Sequence, residues 1–374
     1  MIPFSKPYTP SDSIKYVQQA LESSVQQGDG QFSKLVETEI SRKYNGMPSY
    51  LTPSCTAALE LSLMLLDIKP GDEVIIPSFT FTSVATAVTK FWGTPVFCDI
   101  DKNTGCIDTN KIGDLISSKT KAISWVNYGG LTPDTDQLKK LSQDHGIPLI
   151  EDAAHNFGLL GERQREVTGD FVTFSFHATK NIQCGEGGSL LLANASYLER
   201  AQIMREKGTD RIKFNQGFVS KYSWVDRGSS YLLAEVNAAL LFAQIQAFSS
   251  IQLKRLSLIK VYQESLLKLE EYGWEILRGT EQASHLFALL APTEAERNYF
   301  IDFLKQRNIL AVIHYQDLAS SIAGRRFSDR KSDCPISKDF SARIVRLPVF
   351  FDLSIQDQTR VIDTINSEYI RSIR

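Results

Sequence analysis

A chain of 374 residues with 43% hydrophobic and 22% charged side chains has the composition of an ordinary globular protein, and its length suits a large domain with a smaller one beside it. Its formal net charge of −2 argues against a nucleic-acid binder, which carries a basic excess. No long uninterrupted apolar run is present to span a membrane, MIPFSKPYTPSD lacks the pattern of a secretion signal, and five cysteines that form neither a paired framework nor a zinc motif suit a reducing cytoplasm.

In chain order, residues 11–26 carry helical apolar spacing behind a Ser-Asp-Ser start, and residues 32–44 continue in that style. Residues 54–67 (SCTAALELSLMLLD) predict a buried helix opening on a polar residue, followed by a short strand at 73–77 (EVIIP) and a helix over 83–92. Further strands fall at 95–99, 122–126 and 148–151, separated by helical stretches around 109–116 and 135–145. This alternation implies a mostly parallel sheet covered by helices, and strand centres such as VII, VF and PLI fit strands buried on both faces. Two more strands, at 171–176 and 188–192, flank a glycine-rich turn, and a long helix is expected over 230–247. Beyond it the rhythm changes to a long helix at 249–272, then strand, strand, helix, strand and C-terminal helices. The shift predicts a large domain over 1–247 and a smaller one over 248–374, with the N-terminal segment available to pack on the smaller.

In such sheets ligands bind beyond the carboxyl ends of the strands, and the chemically distinctive residues gather there. EDAAH (151–155) closes one strand, FSFHATKN (174–181) closes another, and GEGG (185–188) follows. A lysine just past a strand end, in a partly desolvated cleft, can hold an aldehyde as an imine; Lys180 is that candidate. A carboxylate against a pyridine nitrogen keeps it protonated, so the ring can take up carbanion electrons. Asp152, at the end of a different strand, can approach such a ring from another side. Singly these would be a solvated lysine and a helix cap, and their joint occurrence is what points to chemistry. PSCT (53–56) opens a helix whose free N–H groups and dipole favour a phosphate. Ser54 can also cap that helix, and Ser175 can add a hydroxyl to the same phosphate. Phe81, in PSFTFTS (77–83), is a candidate to stack on the ring.

Together these motifs make the chain similar to the DegT/StrS-type aminotransferases, pyridoxal-phosphate (PLP) enzymes that aminate nucleotide-linked keto sugars. The resemblance runs from MIPFSKP to RLPVFFDLS (346–354). It implies an α/β fold of the aspartate-aminotransferase kind (PLP fold type I), with a smaller α+β C-terminal domain. It also implies that Lys180 is the Schiff-base lysine, Asp152 the ring-nitrogen carboxylate and His155 the neighbour of the ring hydroxyl. Phosphate contacts fall on Cys55, Thr56 and Ser175, and the stacking aromatic falls on Phe81. Two departures stand out. Ser54-Cys55-Thr56 replaces the Ser-Gly-Thr of most members, a change that keeps the backbone N–H contact. GSSYL (228–232) replaces Gly-x-Asn-Tyr-Arg, so Ser230 takes the place of an Asn that reaches the neighbouring subunit's phosphate, with a shorter reach.

With REKGT (205–209) and KYSWVDRGSSY (221–231), these variants resemble the branch that makes dTDP-4-amino-4,6-dideoxygalactose. That branch implies a 4-keto-6-deoxyhexose acceptor, L-glutamate as donor and a cofactor cycling between PLP and pyridoxamine 5'-phosphate. The family implies a homodimer with its active site at the subunit interface. His314-Tyr315 resembles a family motif near the substrate cleft, and Glu186 can order its turn or touch substrate.

Other polar residues carry plainer expectations. His177 faces away from Ser175 if the strand's alternation continues, and so packs. His145 belongs at the surface, and His285 is placed in the second domain without a role. Arg205, Lys207 and Arg211 can meet a substrate diphosphate, although three cations around a loop are usually solvated. Four rival readings remain: amination of a 3-keto nucleotide sugar, an amino-acid-only aminotransferase, disfavoured because the motif set resembles the sugar branch, a PLP-binding regulator without turnover, and a sugar dehydratase. In the dehydratase offshoot a histidine replaces the lysine, and Lys180 speaks against it.

Overall fold

The computed structural model describes residues 1–158, 166–279, 285–328, 330 and 333–373. Among these residues the main sheet contains β1 (Ser49–Thr52), β2 (Glu73–Pro77), β3 (Thr94–Cys98), β4 (Thr120–Val126), β5 (Leu149–Asp152), β6 (Phe171–Ser175) and β7 (Gly188–Leu192). Their spatial order is β1-β7-β6-β5-β4-β2-β3. Parallel pairing links β3, β2, β4, β5 and β6, and only β7 runs against its neighbours, β6 and β1. Every residue of β2, β5, β6 and β7 is buried, as expected of strands covered by helices on both faces.

The helices of this part are α1 (Ser13–Glu22), α2 (Gln31–Lys43), α3 (Cys55–Leu65), α4 (Ser83–Lys90), α5 (Thr109–Ile112), α6 (Thr135–His145), α7 (Leu198–Arg205), α8 (Arg211–Asn215) and α9 (Glu235–Gln246). Helix α3 is buried from Ala57 to Leu65, because it lies between β6 and β7 on one side and α4 and α7 on the other. That position explains why it is apolar all round rather than on one stripe. Each of its buried leucines contributes roughly 1.5–3 kcal/mol. Its first turn is therefore held rigidly at the ends of the strands.

A bend of 64° separates α9 from α10 (Phe248–Ser265). Beyond it lie β8 (Glu275–Ile276), β9 (Phe287–Leu290), α11 (Glu294–Gln306), α12 (Ile322–Phe327), α13 (Pro335–Arg343), β10 (Ile344–Leu347), α14 (Ile355–Asp363) and α15 (Ile370–Ser372). The three strands form a second, antiparallel sheet in the order β10-β9-β8. Its core gathers Trp274, Phe287, Phe300 and Tyr369, and Ile2 joins it through a parallel bridge to Ile309. The N-terminal segment thus packs on this second sheet. Among the described residues no single helix is long and apolar enough to cross a membrane. The bent pair α9–α10 passes that test by length and composition, yet Leu241, Ile245, Phe248 and Leu258 are buried in the cores.

Five elements differ from expectation. Strand β1, four residues of SYLT, is too short to stand out, and α7 and α8 lie in a stretch, 193–229, to which the sequence assigned no element. The helix expected from residue 230 begins at Glu235. Ser230 is bridged to Glu206, Tyr231 N–H donates to the Arg205 carbonyl at 2.9 Å, and Glu235 N–H donates to the Gln26 carbonyl at 3.0 Å, which keeps this stretch extended. The Glu235 carboxylate then accepts from the N–H groups of Gly30, Phe32 and Ser33 (3.0, 2.8 and 3.0 Å), tying α9 to the positive end of α2. Finally, the helix expected over 249–272 ends at Ser265 and finishes as a 3-10 turn, Leu267–Tyr272, stopped by Gly273 at φ 79°.

Candidate active site

The ends of β5 and β6, the loop after β6 and the start of α3 surround a cavity of about 350 Å³. Ser54 caps α3, its side chain accepting from Ala57 N–H. That leaves the other N–H groups of the first turn free to face an anion. Thr56 Oγ1 and Ser83 Oγ lie 2.7 Å apart at the same place. The GEGG loop makes this close approach possible. Gly185 sits at φ 81°, and a Cβ on Gly188 would lie 2.4 Å from Cys55 N. The glycine at 188 therefore lets β7 touch the start of α3.

Lys180 and Asp152 share the floor of the cavity. Burial pushes the Lys180 amine down to about 8, against the opposing pull of the Asp152 charge. Burial raises Asp152 to about 6; a hydrogen bond from Ala154 N–H (3.0 Å) and the charge of Lys180 act the other way. The Cys55 thiol approaches Asp152 Oδ1 at 3.9 Å. At neutral pH the pair thus offers an ionised carboxylate beside an amine within reach of neutrality.

His155 is fully enclosed, and both its ring nitrogens have protein partners. Nδ1 accepts from Gly129 N–H at 3.3 Å, and Nε2 lies 2.8 Å from the Tyr315 hydroxyl. Burial, then the charges of Lys180 and Arg346, hold its pKa well below the usual value. The ring is neutral with its proton on Nε2, which donates to Tyr315. The hydroxyl proton of Tyr315 then remains available. Phe81 stands 53% exposed at the mouth, its ring 5.6 Å from that of Tyr315.

The cavity brings together Cys55, Thr56, Phe81, Asp152, His155, Ser175 and Lys180, and also Glu186, His314 and Tyr315. Ser230 is not among its lining residues; it is exposed, on the segment paired with Glu206. Two expectations need correction. His177 does not turn away to pack. Strand β6 ends at Ser175, so the alternation does not reach it; His177 lines the cavity, with Nε2 3.7 Å from the Glu186 carboxylate. Arg205 is not solvated: it is buried, paired with Asp29 and with Glu37 at 3.3 Å. Lys207 and Arg211 both pair with Glu206, at 3.0 and 3.5 Å. His145 is exposed at the end of α6, as expected.

Sequence reasoning overlooked three wall residues, Phe4, His285 and Arg346. The available signal was the arginine itself, a lone charge inside the apolar run IVRLPVF (344–350). It suits neither a buried strand nor a solvated surface.

A phosphorylated pyridine aldehyde suits this donor set: a helix N-terminus with hydroxyls for the phosphate, a buried amine for the aldehyde and a buried carboxylate for the ring nitrogen. A seven-stranded mixed sheet with this site at its strand ends defines a PLP-dependent aminotransferase of fold type I. The sequence pattern of the DegT/DnrJ/EryC1/StrS aminotransferase family matches residues 7–366, and the chain belongs to that family. It is 33% identical over 340 residues to the uncharacterised protein MJ1066 of Methanocaldococcus jannaschii, covering 88% of this chain and 87% of the relative. Among solved structures it resembles Spr1654 from Streptococcus pneumoniae, assigned as a sugar aminotransferase, at 26% identity and a TM-score of 0.89 over 98% of both chains. That protein has been solved in PMP and PLP forms. DesV of S. venezuelae is similar at 26% identity and a TM-score of 0.86 over 97% of both chains.

Proposed function

We propose that the protein transfers an amino group from L-glutamate to a dTDP-linked 4-keto-6-deoxyhexose, giving a 4-amino-4,6-dideoxyhexose and 2-oxoglutarate. One observation carries the reading: a buried amine, Lys180, and a buried carboxylate, Asp152, share a cavity with the N-terminus of α3. The likeness to Spr1654 supports a sugar acceptor, and REKGT with KYSWVDRGSSY supports the 4-keto branch.

Bound here, pyridoxal phosphate would supply an aldehyde carbon to accept the amino group and a ring to take up electrons from the donor's α-carbon. Lys180 would hold that aldehyde as an imine. Its amine, which burial brings down to about 8, would take the α-proton as base and return a proton as acid. Asp152, largely ionised above its pKa of about 6, would keep the proton on the ring nitrogen. Backbone N–H groups at Cys55 and Thr56, with the hydroxyls of Thr56 and Ser175, would hold the phosphate. Phe81 would cover the ring, and His155 with Tyr315 would meet its hydroxyl. Glu186, His314 and Tyr315 stand where an acceptor sugar would enter.

The active species in this reading is a homodimer, with Ser230 of one chain reaching the neighbour's phosphate. Support comes from the exposure of Ser230 and of Phe218, Trp224 and Val225 on the segment leading to it. A monomeric active species in sedimentation would contradict this. The division into domains 1–247 and 248–374 is supported by the bend between α9 and α10. The free thiol state of all five cysteines fits a reducing cytoplasm. The function is tested by incubating the PLP-saturated protein with L-glutamate and dTDP-4-keto-6-deoxyglucose. Equimolar 2-oxoglutarate and aminated dTDP sugar are expected. Amination of a 3-keto isomer alone would move the position, and no amination of any nucleotide sugar would end the reading.

A further inference from the structure

Helix α10 buries Phe248 and Ile251 in a core of the main sheet and Leu258, Ile259 and Tyr262 in the core of the second sheet. Arg255 falls between these two groups on the same buried face, 4% exposed. Among the described residues no carboxylate pairs with it, and burial, with no neighbouring charge to oppose it, lowers its pKa to about 10. A guanidinium kept from water without a counter-charge is costly, and an apolar side chain would serve the packing at least as well. What the apolar side chain could not do is hold two carbonyls together. Arg255 Nη1 donates to the Val349 carbonyl at 3.2 Å, and Nη2 donates to the Lys180 carbonyl at 3.3 Å.

Those carbonyls belong to opposite sides of the candidate active site. Lys180 lies on its floor, on the loop after β6, and Val349 follows three residues after Arg346, which lines the opposite wall. Among the described residues no other donor meets the Lys180 carbonyl. Within the loop, Lys180 N–H donates to the His177 carbonyl at 2.9 Å. Two side chains tie the loop outward: Asn181 donates to the Phe157 carbonyl and Gln183 to the Tyr8 carbonyl, each at 3.1 Å. Tyr8 in turn stacks on Phe351 with 3.8 Å between ring centroids, so the loop is joined twice to the segment after β10. Of the two joints, the guanidinium is the one that acts on the lysine itself, and a planar fork fixes two acceptors relative to each other. We infer that Arg255 is a positioning residue for the reaction: by bridging the Lys180 and Val349 carbonyls it sets the place of the Lys180 amine against the opposite wall. It is not among the residues lining the cavity, and it acts through Lys180 alone. The inference rests on the aminotransferase reading of that cavity.

The test compares wild-type, Arg255→Met and Arg255→Lys proteins. Met removes fork and charge but keeps an unbranched apolar stem; Lys keeps the charge and offers a single donor point. Three quantities are measured: the pH dependence of PLP uptake by cofactor-free protein, the single-turnover half-reaction of the loaded protein with L-glutamate, and thermal unfolding. In Arg255→Met the released lysine reaches water, so the midpoint of uptake should move up from about 8 towards the ordinary value of about 10.4. The saturating rate of the half-reaction should fall about 10- to 100-fold, the effect of displacing a reacting group by about 1 Å. The glutamate concentration giving half that rate should change by less than about threefold, because Arg255 acts on the step and not on binding. Thermal unfolding should move little, and Arg255→Lys should fall between the other two in midpoint and rate. An unchanged midpoint in Arg255→Met would overturn the inference, even beside a slower rate that tracks lost stability, since that is packing alone. Full recovery in Arg255→Lys would assign the effect to charge and overturn the bridge. If Arg255→Met does not fold, Arg255→Lys decides, and a midpoint and rate equal to the wild type's overturn the inference. A wild type with no lysine-dependent cofactor band would end the aminotransferase reading and this inference with it; a wild type that behaves as proposed, beside unaltered variants, removes Arg255 alone.

Discussion

One wall of the cavity is built from the strand ends of the main sheet and the first turn of α3, the other from side chains as distant in sequence as Phe4, His285, His314 and Arg346. On the first wall the polar groups largely satisfy one another: Thr56 with Ser83, Asp152 with Ala154 N–H, His177 with Thr179. On the second, two buried polar atoms are left without partners. The contrast separates two tasks. The sheet wall presents a preformed cradle for a resident cofactor, rigid because buried strands and a buried helix fix it. The second wall is closed by the N-terminal segment and the second sheet and faces the side from which a ligand would enter.

The sharpest blow to the sheet wall is Asp152→Asn. An amide cannot hold the ring nitrogen protonated, so the single-turnover rate with L-glutamate should fall on the order of 10²–10³-fold, with cofactor partly retained. An unchanged rate would remove Asp152 from the mechanism. Gly188→Ala attacks the same wall through packing. The added Cβ would sit 2.4 Å from Cys55 N, so α3 must shift, at about 1–3 kcal/mol of stability. Thermal unfolding and PLP titration should both register it, and a variant unaltered in both would mean the approach is not tight.

A pH experiment distinguishes the walls by charge. The neutral Lys180 amine is the reactive form, and its fraction grows as pH rises through a pKa of about 8. The rate at which cofactor-free protein takes up PLP should therefore climb with pH and be half-complete near 8; an unperturbed lysine would reach that point near about 10.4. A profile still rising steeply at the higher value would show that burial does not tune this amine. The smallest effect belongs to the seam between the walls. Tyr315→Phe removes the hydroxyl that His155 Nε2 contacts at 2.8 Å, a loss of about 0.5–1.5 kcal/mol, or about tenfold at most in the rate of the donor half-reaction.

The same division explains what was legible in the sequence. EDAAH, FSFHATKN and GEGG are contiguous, so strand ends and turn chemistry disclose the sheet wall before any tertiary contact is known. Periodicity likewise anticipated α3, α6, β2 and β7 with little error, since each is buried by its immediate neighbours. His177 was misjudged because the end of a strand is set by the turn that follows, and alternation carries no sign of it. Arg205 was misjudged because its partners, Asp29 and Glu37, come from the far N-terminal segment. Arg346 and His285 became functional candidates only once β10, β9 and the first residues of the chain had closed over the cavity. No local pattern encodes that closure; a charge in an apolar strand is its one trace.

The most direct test of the central claim is the visible spectrum of the PLP-saturated protein before and after adding L-glutamate, with Lys180→Ala beside it. The account requires a lysine-dependent cofactor band in the wild type that glutamate converts to the pyridoxamine-phosphate form, and its absence in the variant. A glutamate-driven conversion that proceeds equally well without Lys180, or a wild type that forms no such band, would contradict it.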